Sequence, residues 1–333
     1  MRCWIAVILT RLPLQALHPR WSEPLPIAIT EGAQVIALSS LAAAQGVRIG
    51  MRSVSVPSIA PQVVLQPRDA IREQQAFDAV ALALMQYTPE IAALDQQSLV
   101  LEVSASLSLF GGHRRLTRRV HDTVHRLGFS LALGMAPTAQ AAWLFAAQRA
   151  QWQLSERARN REPKHPGARH QTSRHHARVR RALKRAYGEM PELFDWLQAP
   201  ACFQAAIELP YRIDQAPMLL FAAQRLLAQM SGWLVARQQA VRCVLLWLVH
   251  EKGRARLTPT ALEIVLSEPS CEEAHLLRLV KERFGQLQLI APVIALRLEA
   301  IQLSAWVAPS RQLFATPASS AQDHHRLLEL LVA

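Results

Sequence analysis

The chain has 333 residues, with 37 Lys plus Arg against 25 Asp plus Glu, a formal charge of +12 with histidine neutral. Hydrophobic residues make up 51%, which excludes global disorder, and the length predicts two domains or more. No uncharged apolar run approaches the roughly 18 residues of a membrane helix, so no membrane partner is expected.

Cys3 to Leu9 reads as one continuous buried strand. Arg11 and Pro13 follow with no small-residue cleavage site, which favours a strand over a signal peptide. Leu25 to Ile29 and Gln34 to Leu38 predict a hairpin turning at Glu31-Gly32. Asp69 caps a helix whose buried face is Phe77, Val80, Ala81 and Leu84. Leu99, Leu101 and Val103 alternate with Val100 and Glu102 as a strand. Gly111-Gly112 ends it, and a helix follows with Leu116, Val120, Val124 and Leu127 on one face. Phe129 to Leu133 is a further strand and Thr138 to Arg149 a further helix.

The charge is concentrated next. Residues 157–185 hold nine Arg, two Lys and one acid, Glu162, a net +10, and the rest of the chain is close to neutral. Pro163, Pro166 and Gly167 and the scarcity of large apolar residues predict a solvated linker or a basic arm. As a linker it needs no dedicated partner. As an arm it contacts phosphates, with Arg174, Arg178, Arg180, Arg181, Lys184 and Arg185 as the candidate DNA-binding residues. Its four histidines show no ligand spacing.

Beyond the linker, Phe203 to Leu209 is a strand, and Asp214 opens a helix buried through Leu219, Leu226, Met230 and Trp233. Val241 to Val249 is a continuous apolar strand. After a turn at Lys252-Gly253, Thr260, Leu262, Ile264 and Leu266 alternate as the next strand. Ser270 and Glu273 predict a capping box for a helix carrying Leu276, Leu279, Val280, Phe284 and Leu287. Pro292 starts a last strand, with Ile294, Leu296 and Leu298 facing in and Arg297 and Glu299 facing out. The order β-α-β-β-α-β describes a four-stranded sheet with two helices on one face and the other face open.

Several segments resemble one family. SLAAAQGVRIGM at 40–51 resembles the fingers segment of Y-family DNA polymerases. SLVLEVSASLSLFGG at 98–112 resembles their palm strand and turn, and LALGMAPTAQAAWLFA at 131–146 their G-I-A-x-N-K segment. RLPLQAL, the LSLFGG turn and LSEPSCEEAHLLRLVKERF at 266–284 resemble ImuB-type proteins, the polymerase-like subunit of bacterial mutasomes. The resemblance implies an α+β chain: Y-family palm and fingers over 1–150, a basic linker with a degenerate or missing thumb at 151–200, a little finger at 201–303 and a tail at 304–333.

Nucleotidyl transfer in that family needs two metal ions held by carboxylates. By resemblance the first pair falls at Ala6 and Ile8 and the second at Gln97 and Ser98, none of which carries a carboxylate. Glu102 matches a position that is not a ligand, and Asp95, two residues away, reads as a turn residue. The family's triphosphate-holding Tyr, Arg and Lys match Ser40, Ala43 and Ala139. These replacements imply a scaffold with no catalytic residue, no metal ligand and no cofactor, hence no enzyme.

Other candidates are weaker. His121 and His125 stand at i, i+4, but on the face opposite Leu116 and beside Arg118 and Arg119, so a solvated face is expected. Arg114, Arg115, Arg118, Arg119 and Arg126 make that helix basic, open to either solvation or a partner. Cys3, Cys202, Cys243 and Cys271 lie far apart with no C-x-x-C, which fits neither a zinc site nor a disulfide framework and points to a reducing, cytoplasmic setting. The family's clamp-binding pattern Q-L-x-L-F is met in part by Gln312, Leu313 and Phe314 and in part by Gln302 to Trp306.

The expectation is a non-catalytic, polymerase-like adaptor in damage-induced translesion synthesis. The resemblance implies as partners DNA, a sliding clamp, a RecA-like mutasome subunit and an error-prone C-family polymerase. The alternatives are a weakly active Y-family nucleotidyltransferase with relocated ligands, and a DNA-binding protein acting through its basic linker.

Overall fold

A computed structural model describes residues 2–20, 22, 25–159, 192–251 and 258–306. The chain divides into two compact units, 1–81 with 87–197 and 82–86 with 198–333. Helices and sheets alternate in both, so the chain is of the α+β class.

The first unit opens with β1 (Trp4–Leu9) and the short α1 (Leu12–Gln15). A smaller three-stranded sheet follows, from β2 (Ile27–Glu31), β3 (Gln34–Leu38) and, after α2 (Ser40–Ala44) and α3 (Val56–Ile59), β4 (Val64–Pro67). Its order is β3-β2-β4, antiparallel across the predicted hairpin and parallel between β2 and β4. Gly32 takes a positive φ of 57° at the hairpin turn, which a side chain would resist. Ala28, Val35, Ala42, Val47, Val56, Ala60 and Val63 form the core of this layer.

The larger sheet is assembled from distant segments. α4 (Ala70–Leu84) leads to β5 (Ile91–Asp95) and β6 (Ser98–Glu102). The predicted cap holds, since the Arg72 amide donates to Asp69 Oδ1 at 3.0 Å. α5 (His113–Arg126), β7 (Leu131–Ala136) and α6 (Ala139–Arg159) complete it. The strand order is β5-β6-β1-β7 and every pairing is antiparallel. β1 is central, so both of its faces are covered and its sequence is a continuous apolar run rather than an alternating one. The same holds for β6: Val100, expected to alternate outward, is buried with Ala6, Ala92 and the small residues of α6.

α6 lies very close to the sheet. Its contact row is Ala139, Ala142 and Ala146, and beneath it stands Gly134 of β7. A Cβ on Gly134 would lie 2.0 Å from the Ala142 carbonyl oxygen, so the residue has to be glycine for the helix to sit there.

Several expectations need correction in this unit. α1, β4 and β5 are found where none was expected. They are short, β4 ends in a proline, and β5 carries two alanines, so each has a weak local signal. β7 starts at Leu131, not Phe129, because its ladder begins where Leu131 meets Leu9. α6 runs ten residues past Arg149, with no breaker until Pro163.

The second unit contains β8 (Gln204–Ile213), a 3-10 turn at Ala216–Leu219, α7 (Leu220–Ala236), β9 (Gln239–His250), β10 (Thr260–Ser270), α8 (Glu273–Gln286) and β11 (Val293–Ala305). The sheet order β10-β9-β11-β8 is antiparallel throughout, and α7 and α8 share one core with its inner face. That is the β-α-β-β-α-β unit read from periodicity. Among the described residues, the segment Ala216–Ala236 is long and apolar enough to cross a membrane by length and composition alone. It is instead a core element, and burial pushes the Arg225 guanidinium on it down to about 10.

Three details differ from expectation. Asp214 does not open the helix directly, because the 3-10 turn intervenes. Ser270 does not form a capping box: it ends β10, its Oγ accepts from the Glu272 amide at 3.2 Å, and Glu272 is the residue before the helix. Ile294 is not a core position. The ladder slips between Val293 and Ala295, which turns Val293 inward instead. The turn expected at Lys252-Gly253 lies outside the described residues.

Candidate functional site

The carboxylate positions of the resemblance are brought together by the register of the larger sheet. Ile8 of β1 pairs with Ser98 of β6 on one side and with Ala132 of β7 on the other. Ala6 pairs with Val100 and with Gly134. Paired residues share a face, so Ala6, Ile8 and Ser98 all lie on the α6 side.

Ser98 is buried and fully engaged. Its hydroxyl donates to Asp95 Oδ2 at 2.9 Å and accepts from the Trp143 indole N–H at 3.1 Å. Asp95 Oδ1 accepts from the Gln97 amide at 2.8 Å. Asp95 therefore closes the β5–β6 turn, as expected of a turn residue. The carbonyl of Gln97 accepts from the Leu9 amide at 2.9 Å, which fixes the end of β1 against β6. Glu102 accepts from the Ser104 hydroxyl and amide. Ser40 and Ala43, the positions matching the triphosphate-holding Tyr and Arg, sit on α2, where Ser39 caps by accepting from the Ala42 amide at 3.2 Å. Ala139, the position matching the Lys, is buried at the first turn of α6.

One constellation beside this site was not legible in the sequence. The carboxylate of Glu192 accepts from the amides of Ala139 and Gln140 at 3.0 and 2.8 Å, supplying the N-terminal partner of α6. Trp196 stacks on Trp4 and Phe194 packs tilted against it, with centroids 6.1 and 4.8 Å away, and the Leu197 amide donates to the Ile91 carbonyl. These residues fall in the stretch 151–200 expected to be a linker with a degenerate thumb. Of that stretch, 151–159 complete α6, 192–197 pack on the larger sheet, and 160–191 lie outside the described residues. The candidate DNA-binding residues Arg174, Arg178, Arg180, Arg181, Lys184 and Arg185 are among the latter.

The candidate clamp peptides separate. Gln302 to Ala305 belong to the β11–β9 ladder and the Trp306 amide donates to Gln238, so their backbone is committed. Leu303 and Trp306 are exposed rather than core, at 38% and 43%. Gln312, Leu313 and Phe314 lie outside the described residues.

The helix α5 presents Arg114, Arg115, Arg118 and Arg119 to solvent, with Arg119 over the Phe110 ring at 5.4 Å and Arg118 3.9 Å from Asp122. His121 and His125 stack at 5.8 Å on the same exposed side. Partial burial and the nearby Arg20 hold His125 below its ordinary value, which opposes a second positive charge there. On the open face of the second unit, Arg297 stands among Glu208, Glu263 and Glu299, with Leu245 and Trp247 between them. This face is not a basic one.

Residues 11–147 match the model of the impB/mucB/samB family, called IMS. A solved Y-family DNA polymerase chimera matches with 14% identity and a TM-score of 0.39, over 90% of this chain and 98% of that one. The insertion ternary complex of Dbh DNA polymerase matches with 12% identity and a TM-score of 0.41, over 92% and 100%. The post-insertion binary complex of the same polymerase gives 12% and 0.41, over 90% and 98%. No curated protein matches. These findings correct one expectation. The replaced carboxylates imply that the chain is no enzyme, and the match of residues 11–147 to the impB/mucB/samB family does not bear that out. The residues at 6, 8, 97 and 98 therefore describe the local chemistry of the sheet and do not establish a loss of catalysis. What stands is a mixed α+β chain whose residues 11–147 match the impB/mucB/samB family and whose likenesses among solved structures are Y-family DNA polymerases.

Proposed function

We propose that this chain is an ImuB-type component of bacterial DNA damage tolerance. In this reading it holds primer–template DNA, docks on a sliding clamp, and brings a RecA-like mutasome subunit and an error-prone C-family polymerase to the same place in the cytoplasm. The observation that carries the reading is the family match over residues 11–147, which spans the smaller sheet and three of the four strands of the larger one. The net +10 of residues 157–185 supports phosphate contact through Arg174, Arg178, Arg180, Arg181, Lys184 and Arg185. The ladder supports the choice of clamp peptide. A peptide inserted into a clamp pocket needs a free backbone, and that of Gln302 to Ala305 is paired with β9. Gln312, Leu313 and Phe314 are the segment left for that role.

Clamp capture tests this directly. Wild-type chain is retained on immobilised clamp, and Leu313→Ala/Phe314→Ala is not. Equal retention of both proteins removes the assignment, and retention of neither removes the clamp from the reading.

A further inference from the structure

The face of the larger sheet away from α6 holds a group of soft donors. Cys3 precedes β1 and shares a face with Ile5, two residues on. Met135 of β7 pairs with Ile5 across the ladder and so projects to that face. His113 is the first residue of α5, which packs against β7. The three meet at one point: Cys3 Sγ is 3.7 Å from His113 Nδ1, and the same nitrogen is 3.3 Å from Met135 Sδ. The topology thus converges a thiol, an imidazole and a thioether from three separate elements.

We propose that Cys3 Sγ, His113 Nδ1 and Met135 Sδ form a binding site for one thiophilic metal ion, of which Cu(I) fits the donor set best.

The spacing supports it. An ion about 2.3 Å from sulfur and about 2.0 Å from nitrogen, with donor–metal–donor angles of roughly 100–120°, holds sulfur and nitrogen about 3.3–3.8 Å apart. Both measured separations fall in that interval. The donor types choose the ion, because a thioether with a thiolate selects Cu(I) over oxygen-seeking divalent ions. Charge points the same way. Arg114 and Arg115 follow His113 on α5 and oppose a divalent ion, whereas Cu(I) with one thiolate adds no net charge. Access is open on one side: Cys3 is buried, Met135 is half-buried and His113 is exposed.

Burial and the neighbouring Glu102 carboxylate push the Cys3 thiol up, so the free protein carries the proton and metal binding expels it. Affinity therefore falls as pH falls. Glu102 itself is held by Ser104, whose hydroxyl also accepts the Cys3 amide at 2.8 Å. This ties the backbone of Cys3 in place.

The test is a competition titration with the full chain. Cys202 is exposed and could capture copper alone, so the background is Cys202→Ser. Cu(I) is supplied anaerobically as its bicinchoninate complex, and loss of the complex absorbance reports transfer. One equivalent of copper is withdrawn by the background protein. Cys3→Ser withdraws none. Met135→Leu, a swap of similar volume that preserves packing, weakens transfer tenfold or more while its circular dichroism stays native. His113→Gln weakens it likewise. Withdrawal of no copper by the background protein overturns the proposal, as does equal withdrawal by Met135→Leu with a native spectrum. Tighter binding of Zn(II) than of Cu(I) overturns the assignment of the ion. Should Cys3→Ser fail to fold, Met135→Leu alone decides.

Discussion

Replacing Gly134 by alanine puts a methyl carbon 2.0 Å from the Ala142 carbonyl oxygen and 2.6 Å from the Ala146 amide nitrogen. Both atoms belong to the backbone of α6, so no side-chain rotamer relieves the overlap. Ordinary contact lies near 3.5 Å, and the helix must therefore lift by more than about 1 Å. Lifting it opens the contact of Ala139, Ala142 and Ala146 with Trp4, Ala6 and Val100, all of them buried. Overpacking typically costs about 1–3 kcal/mol, and a clash confined to backbone belongs at the upper end or beyond. At about 2–4 °C per kcal/mol for a unit of this size, the first unit should melt roughly 6–12 °C lower. Gly285 of α8 is the matched control, because a Cβ there meets nothing within 4 Å. Gly285→Ala should stabilise the second unit by about 0.5–1 kcal/mol through helix propensity. Differential scanning calorimetry of the three proteins makes the comparison. A Gly134→Ala transition within about 1 °C of wild type would refute the close approach of α6.

Further outcomes follow from other contacts. Asp95→Ala should cost about 1–2 kcal/mol, since it strands the Gln97 amide and the Ser98 hydroxyl. Whatever primer extension the wild type supports with magnesium should survive it per folded molecule, and loss of incorporation at unchanged melting would contradict the turn role. Arg68 grips the buried Glu73 through two bonds of 2.9 and 2.8 Å and reaches Glu31 at 2.9 Å. Arg68→Ala should destabilise the first unit by about 2–3 kcal/mol in urea titration, and Arg68→Lys should recover only part of this, because the fork is lost. Neutralising Arg174, Arg178, Arg180, Arg181, Lys184 and Arg185 should make the salt dependence of primer–template affinity shallower by up to about 5 in log–log slope. An unchanged slope, measured by fluorescence anisotropy, would place the DNA contacts elsewhere.

What the sequence made legible follows from the range of each signal. β1 was readable because a central strand covered on both faces is apolar throughout, and the β2–β3 hairpin because Gly32 marks a turn between two short apolar runs. The order of the second unit was readable, since its helices carry a period of 3.6, Thr260 to Leu266 alternate with period 2, and Val241 to Val249 form one apolar run. The bulge that turns Val293 inward in place of Ile294 was not, because a period-2 pattern carries no mark of an inserted residue. The packing of Phe194 and Trp196 on Trp4 was hidden for a different reason, as it joins residues about 190 positions apart in sequence. At the candidate site, family resemblance brought Ile8 and Ser98 to one place, and the register agrees by pairing them. What it could not supply was the engagement of Ser98 with Asp95 and Trp143. The convergence of Cys3, His113 and Met135 was invisible too, because cysteine spacing along the chain says nothing of a partner helix and a neighbouring strand.

The central claim is that one chain holds primer–template DNA and a sliding clamp at the same time. Analytical ultracentrifugation of the chain with a labelled primer–template and the clamp tests it most directly. The account predicts one species in which label, clamp and chain co-sediment, and in which Leu313→Ala/Phe314→Ala releases the clamp while keeping the DNA. Sedimentation of the labelled DNA at its free rate, or a clamp that stays bound to that variant, would contradict it.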